Sequence, residues 1–532
     1  MDQTAWWKRA IVYQIYPLSF KDSNHDGIGD LPGIISELDY LQKLGVDVIW
    51  LSPVYRSPMD DNGYDIADYY QIDPIFGTLD DMKRLLTEVH KRKMRLIMDL
   101  VINHTSDEHI WFKESRKDVH SPYRDYYLWR KEPTAVDSIF GGSAWTLDPQ
   151  TNMYYFHLFS KRQPDLNWHH QPLRQAIYDM VNWWLDLGID GFRLDVIDLI
   201  GKDIDKMQFA DGPYLNTYLK ELYDTCFKGR DIMTVGEMPG LSIERAREIT
   251  GGKHPFLNMV FQFAHVGLDE VQGQGKWALR QLDVNEFKHT FEKLQHAMHH
   301  GGWNSLFLSN HDQPRVVSRY GSEHYRKASA KMLATILYGM QGTPYIYQGE
   351  EIGMTGIKMP IENYRDLETR QIYTILQEKG WKEEDIMRSI YAKSRDNSRT
   401  PFQWNDHEYA GFSMHEPWLQ VNPNYKTLNA ETDRSDRDGV YPYYQELIKL
   451  RKSHRIFDEG DFQLIFEDHP KLFAYKRSYQ GQTVLIIGSF SDLPITLDLT
   501  DYPFSKILLS NDHSVKLAQH MTIPPYYAAI II

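Results

Sequence analysis

The sequence predicts an α/β protein: a (β/α)8 TIM barrel with an inserted domain after strand three and a C-terminal antiparallel β-domain. Three observations lead there. Over the first two-thirds of the chain, eight short runs rich in β-branched and aromatic residues alternate with segments of helical period. That rhythm has one long break, between the third and fourth runs. After Arg455 the helical period stops and alternating strands take over.

The expected strands are Ile11–Phe20, Val46–Val54, Arg95–Asn103, Ile189–Ile197, Ile232–Met238, Phe256–Phe263, Ser305–Asn310 and Pro344–Gly349. Between them, Ile34, Ile35, Leu38, Leu41 and Leu44 fall on one helical face, as do Ile177, Met180, Val181, Trp184 and Leu185. Further helices are expected over Tyr214–Phe227, Val284–His299, Tyr325–Met340 and Tyr441–Arg455. The break from His104 to Pro172 is about 70 residues, too long for a structureless loop, so 105–172 is expected to be an inserted domain. The barrel then takes 1–104 and 173–458, with an irregular subdomain at about 355–430. Residues 459–532 read as a β-sandwich, from the runs FQLIFED, KLFAYKRS, QTVLIIGSF, KILLSN and YYAAIII.

Composition narrows the function. Among 532 residues, 73 acidic against 59 basic side chains leave a net charge of -14. A nucleic-acid or anionic-membrane partner needs clustered cations, so neither is expected. The single cysteine, Cys226, excludes an internal disulfide and any Cys-based zinc or iron–sulfur site. The runs Arg95–Ile102 and Ala528–Ile532 are too short to span a bilayer, and no signal peptide is read at the N-terminus.

Active sites of barrels lie at the C-terminal ends of the strands. Polar residues gather there: Asp61, Tyr64 and Asp65 after strand two, Asp99, Asn103 and His104 on strand three, Arg193 and Asp195 on strand four. Glu237 ends strand five, and His311 and Asp312 end strand seven. Three carboxylates with an arginine and two histidines point to glycosyl transfer, because retaining cleavage needs one ionised carboxylate as nucleophile and one protonated acid. Arg193, two residues away, is expected to keep Asp195 ionised. Glu237, with no cation nearby in sequence, is expected to be the acid/base.

The segments DLVINHTS, GFRLDVI, VGEM and LSNHD, with QPDLNW, GTPYIYQGEE, WWKRAIVYQIYP and RDNSRTPFQW, resemble the ordered motifs of the α-amylase family of glycoside hydrolases. The likeness runs over nearly the whole chain and is strongest to the oligo-1,6-glucosidase and dextran-glucosidase group. It implies Asp195 as nucleophile, Glu237 as acid/base and Asp312 as transition-state stabiliser. Sugar-binding residues would be Asp61, Tyr64, His104, Arg193, His311 and Arg399, with Asp61 and Arg399 forming a wall that enforces exo-cleavage. A sugar-binding protein without turnover is the rival reading, and the intact carboxylate set argues against it.

In the resembled group, Val directly after the nucleophile, here Val196, goes with α-1,6 cleavage. Met238 and Pro239 after the acid/base resemble the oligo-1,6-glucosidases, whereas the short connection from Asp195 to Glu237 resembles the dextran glucosidases. The expected activity is release of glucose from isomaltooligosaccharides such as isomaltose, panose and short dextran. Trehalose-6-phosphate hydrolase and α-1,4-glucosidase are the alternatives; the former needs a cation for phosphate, for which Lys276 is the candidate. No cofactor is expected for catalysis. The loop DSNHDGIGD supplies oxygens at Asp22, Asn24, Asp26, Asp30 and the Ile28 carbonyl in EF-hand-like spacing, and the resembled group binds calcium there; a structural Ca²⁺ or Mg²⁺ is expected. A cytoplasmic monomer is the expected form.

Overall fold

A computed structural model describes residues 5–252, 255–299, 301–502 and 504–532. Eight parallel strands form its centre: β1 (Val12–Ile15), β2 (Val48–Leu51), β3 (Arg95–Val101), β4 (Gly191–Asp195), β5 (Met233–Glu237), β6 (Met259–Phe261), β7 (Ser305–Leu306) and β8 (Thr343–Tyr347). They are ordered β6-β5-β4-β3-β2-β1-β8-β7, and a parallel bridge from Val260 to Asn304 closes the ring.

Alternation along the strands sorts residues to two sides. Val12, Val48, Trp50, Ile97, Met233, Val235, Met259, Phe261 and Tyr345 meet in one buried cluster inside the ring. Their neighbours Tyr13, Ile49, Leu96, Met98, Phe192, Leu194 and Ile346 belong to the larger core shared with the helices. The surrounding helices have local reasons to form. Leu79–Lys91 starts at a capping box between Thr78 and Asp81 and buries Met82, Leu85, Leu86 and Val89. Gln171–Leu187 ends at Gly188, whose φ of +111° permits the left-handed cap.

Between β3 and β4 the chain makes a three-stranded antiparallel sheet from Trp129–Arg130, Met153–Phe156 and Trp145–Asp148. Its apolar face, with Val136, Ala144, Trp145, Phe156 and Leu158, packs on Leu199 after β4. The buried Lys202 ties this excursion to the barrel, with Nζ 2.7 Å from Asn103 Oδ1 and 3.0 Å from Asp165 Oδ2. Beyond β8, the C-terminal strands pair antiparallel in a five-stranded and a two-stranded sheet. These enclose Leu472, Ala474, Leu485, Ile487, Leu497, Met521 and Ile523. Among the described residues no helix is long and apolar enough to cross a membrane.

Three expectations change. Strand seven is two residues long, because the chain beyond it leaves the ladder: the Ser309 hydroxyl bonds Glu350 and Asn310 Oδ1 accepts the Asp312 N–H. The stretch 355–430 is not uniformly irregular: Leu367–Glu378, capped by Asp366, and Glu383–Lys393 pack as helices over Ile357, Met359 and Trp277. The helix expected to reach Phe227 widens into a π turn over Tyr223–Phe227, which carries the buried Cys226.

Candidate active site

The register of the barrel assembles the charged centre. Asp99 lies opposite Arg193 across β3 and β4, and Val235 lies opposite Arg193 across β4 and β5, two residues before Glu237. All these side chains point inward, so one guanidinium meets three acids. Arg193 Nη1 lies 2.5 Å from Asp99 Oδ1 and 2.5 Å from Asp195 Oδ1, and Nη2 lies 2.7 Å from Glu237 Oε1. Asp99 Oδ2 accepts from Trp50 Nε1 at 2.8 Å and the Tyr64 hydroxyl at 3.2 Å.

Arg193 is thus not reserved for Asp195, and Glu237 is not without a cation. One positive charge facing three buried acids cannot keep all of them ionised. Burial pushes the Asp195 carboxyl well up and the Glu237 carboxyl up, against the pull of Arg193. The charge of Glu237 is among the causes that raise Asp195, so the two acids titrate as a linked pair. Glu237 Oε2 accepts the Val196 N–H at 3.1 Å, whereas Asp195 Oδ2 has no hydrogen-bond partner among the described residues.

Val196 makes that contact from a strained backbone. Its φ of +36° and ψ of +42° lie in the left-handed region, which β-branched residues rarely enter. The twist takes the chain out of β4 and sets the Val196 side chain against the cluster of Phe156, Leu158 and Leu199.

Across the mouth, Arg399 Nη2 donates to Asp312 Oδ1 at 2.6 Å, and its Nε donates to the His311 carbonyl at 2.8 Å. Burial raises Asp312, but the guanidiniums of Arg395, Arg399 and Arg193 overcome it and hold this acid well below the usual carboxylate range. His311 stacks on Tyr64, with centroids 5.1 Å apart and planes at 8°, and burial lowers its pKa to about 3. Three buried polar atoms here have no hydrogen-bond partner among the described residues: His311 Nε2, Arg399 Nη1 and the Tyr16 hydroxyl. At the mouth of the barrel, such atoms can pair with a polar ligand.

Asp61 is placed by its own turn. Asp65 accepts the N–H of Asp60 at 2.9 Å and of Asp61 at 3.1 Å, which folds the loop after β2 over the barrel. The partner of Asp61 is Arg395, at 2.9 Å, and not Arg399 as the sequence suggested. Arg395 is itself held by Asp366 at 2.6 Å and covered by the Phe140 ring, 5.2 Å from the guanidinium. Gln163 Nε2 donates to Asp61 Oδ2 at 3.2 Å. His104 Nε2 lies 3.1 Å from the Tyr64 carbonyl, and burial lowers the ring's pKa to about 4. Phe159 packs against His104 and Phe140.

The structure therefore gathers Asp61, Tyr64, His104, Arg193, Asp195, Val196, Glu237, His311, Asp312 and Arg399. Lys276 stands outside this group, paired with Glu368 at 2.6 Å, which in turn lies 3.7 Å from Arg395 Nε. Sequence reasoning missed Arg395, Asp366, Gln163 and Gln14. Arg395 had a signal, since it precedes Arg399 by four positions, one helical turn. Gln14 had one too, as a polar residue at period two from Val12 within a buried strand.

In the loop 22–30, Asp22 accepts the N–H groups of Asn24, His25 and Gly27, and Asp26 accepts that of Ile28. Asp30 accepts from Ser23 and caps the helix Leu31–Ser36 through the Gly33 N–H. A carboxylate oxygen so bonded keeps a lone pair, so the donor chemistry fits a hard cation. Among the described residues, no three His, Cys, Asp or Glu side chains converge on one metal position.

A family model described as "Alpha amylase, catalytic domain" matches residues 14–460. An oligo-1,6-glucosidase of Halalkalibacterium halodurans is 53% identical over 92% of this chain and 91% of its own. A glucan 1,6-alpha-glucosidase of Streptococcus pneumoniae is 48% identical over 99% of both chains. Among solved structures, a trehalose-6-phosphate hydrolase of Bacillus licheniformis superposes with a TM-score of 0.95 at 45% identity over 99% of both chains. With the closed barrel, its C-terminal antiparallel sheets and the carboxylates on its rim, these matches place the chain in the α-amylase family of glycoside hydrolases.

Proposed function

We propose that this chain is an exo-acting, retaining α-1,6-glucosidase that releases glucose from the non-reducing end of isomaltooligosaccharides. The observation that carries the mechanism is the unequal pair on Arg193. Asp195 has one oxygen clamped and one free, as a nucleophile needs, while Glu237 sits on the other nitrogen of the same guanidinium, so the two acids a retaining mechanism uses share one site. Asp195 Oδ2 attacks the anomeric carbon as the glycosidic C–O bond breaks, and Glu237 gives its proton to the leaving oxygen. Glu237, now ionised, takes a proton from water, whose oxygen attacks the same carbon and frees Asp195. Asp312 stays ionised beside the cationic ring of the transition state. The Arg395–Asp61 pair, closed by Phe140, is the wall that limits the pocket to one sugar.

The oligo-1,6-glucosidase and glucan 1,6-alpha-glucosidase relatives support the α-1,6 linkage. Lys276 speaks against a phosphorylated substrate, since its charge is already met by Glu368. Initial glucose release from isomaltose, panose, maltose and trehalose-6-phosphate, measured side by side, tests the reading. Fast release from the first two with maltose nearly inert is expected; release from trehalose-6-phosphate alone would overturn it.

We also propose a structural Ca²⁺, or Mg²⁺, held by Asp22, Asn24, Asp26, the Ile28 carbonyl and Asp30. Support comes from the alternating hard oxygens and from Gly27 at φ +87°, where a Cβ would meet the Glu416 carbonyl at 2.3 Å. Calcium or magnesium is expected to raise Tm and a chelator to lower it; no shift with either ion removes the proposal. A cytoplasmic monomer acting on imported oligosaccharides completes the reading, in keeping with a sole, buried cysteine.

A further inference from the structure

We propose that Gln14 is a positioning residue of this reaction: it holds His311 in the tautomer that carries its proton on Nε2, facing the sugar. The inference rests on the glycosidase reading above and concerns a residue at the back of the site. Gln14 lies on β1, 1% exposed, with Nε2 2.8 Å from His311 Nδ1 and 3.1 Å from Ser52 Oγ. With the amide nitrogen turned to the ring, Nδ1 is the acceptor and the single hydrogen of a neutral imidazole sits on Nε2, while the buried Gln14 Oε1 has no hydrogen-bond partner among the described residues.

The surroundings leave the ring little choice. Tyr64 stacks on it at 5.1 Å and Tyr16 at 6.2 Å, while Trp50 packs T-shaped against it at 5.9 Å. Burial keeps the ring neutral, and no carboxylate contacts Nδ1 to reverse its role. Nε2 lies 3.2 Å from Asp312 Oδ2 without a hydrogen bond, and Arg399 Nη1, 3.8 Å from Asp366 Oδ1, has none either. A donor beside a carboxylate binds a sugar hydroxyl from both sides. With the proton on Nδ1, a lone pair would face the Asp312 carboxylate, and the hydroxyl would lose its donor while Nε2 stayed buried and unpaired.

Two variants test this, Gln14→Met, which lacks the donor at similar size, and Gln14→Glu, whose carboxylate reverses the bond to Nδ1. Both are assayed on an aryl α-glucoside and on its 2-deoxy and 3-deoxy analogues. For Gln14→Met, kcat/KM is expected to fall about 10²-fold on the parent substrate, with KM little changed, and the penalty to shrink severalfold on one deoxy analogue. An equal loss on all three substrates makes Gln14 a packing residue and overturns the proposal. For Gln14→Glu, activity is expected to fall above neutral pH and to recover toward acid, as the ring gains a second proton and with it an Nε2–H. A wild-type pH profile in this variant means that Gln14 presents its oxygen to Nδ1, which also overturns it.

Should both variants fail to fold, the ring ¹⁵N shifts of the wild-type protein decide the tautomer, with His311 assigned by its loss in His311→Gln. A bare Nδ1 is expected, and a bare Nε2 refutes the proposal. Wild-type protein inert on every glucoside would remove the glycosidase reading instead, and the nitrogen shifts would still report the tautomer.

Discussion

Replacing Lys202 by methionine tests how the excursion between β3 and β4 is fastened to the barrel. The ammonium is 4% exposed and Asp165 not at all. In Lys202→Met, Asp165 keeps the Leu158 N–H at 2.9 Å and a long contact to Asn103 Nδ2 at 3.4 Å, but loses its cation. Stranding one member of a buried ion pair costs about 3–5 kcal/mol. With an unfolding entropy of about 2.1 cal/mol/K per residue, a chain this long should lose about 3–5 °C in Tm. The larger part of the loss is the orphaned charge and not the missing attraction, so Lys202→Met combined with Asp165→Asn should recover most of it. Calorimetry at pH 7 reads both, and glucose release beside it reports on His104, whose Nδ1 lies 3.1 Å from Asn103 Nδ2. A double variant no more stable than Lys202→Met refutes the reasoning.

Three further outcomes follow from the geometry. Asp195→Ala should reduce glucose release from isomaltose to a trace, and substantial surviving turnover would displace it as nucleophile. Val196→Ala should raise maltose activity relative to isomaltose; an unchanged ratio of kcat/KM values would remove Val196 as the linkage selector. Glu350, buried and bonded to the Ser309 hydroxyl, has its pKa raised by burial from 4.5 to about 8. The folded state then holds a proton that the unfolded chain releases above about pH 4.5, so this group's contribution to stability is greatest below that pH and falls as pH rises toward 8. Glu350→Gln should therefore gain in Tm relative to wild type between pH 5.5 and 8, and a constant difference would contradict the assignment.

Much of the fold was legible because the interactions that define it repeat. The strand pattern recurs eight times with helical stripes between, so a misplaced strand end, as at Ser305–Leu306, left the architecture intact. The site was legible where residues sit at strand ends: Asp195, Glu237 and Asp312 follow from the barrel rule and the motifs. Arg193 was found but not its full role, because the reach of its second nitrogen to Glu237 depends on the register between β4 and β5. The sequence set Arg399 beside Asp61, whereas the ion pair of Asp61 is with Arg395, since two arginines one helical turn apart are equivalent until a neighbour distinguishes them. Asp366 is that neighbour, and it caps the helix Leu367–Glu378 in a stretch the sequence read as irregular.

The sequence by itself thus determined the barrel, its C-terminal sheets and the residue types at the rim, all of which rest on local period and composition. Only the tertiary structure decided which charges meet, that one guanidinium serves three acids, that Val196 is twisted toward Glu237 and that Gln14 reaches His311 across nearly three hundred residues of chain. Those are contacts of fixed length between distant segments. Their energies depend on separations of a few tenths of an ångström and on exclusion of water, which no pattern along the chain encodes.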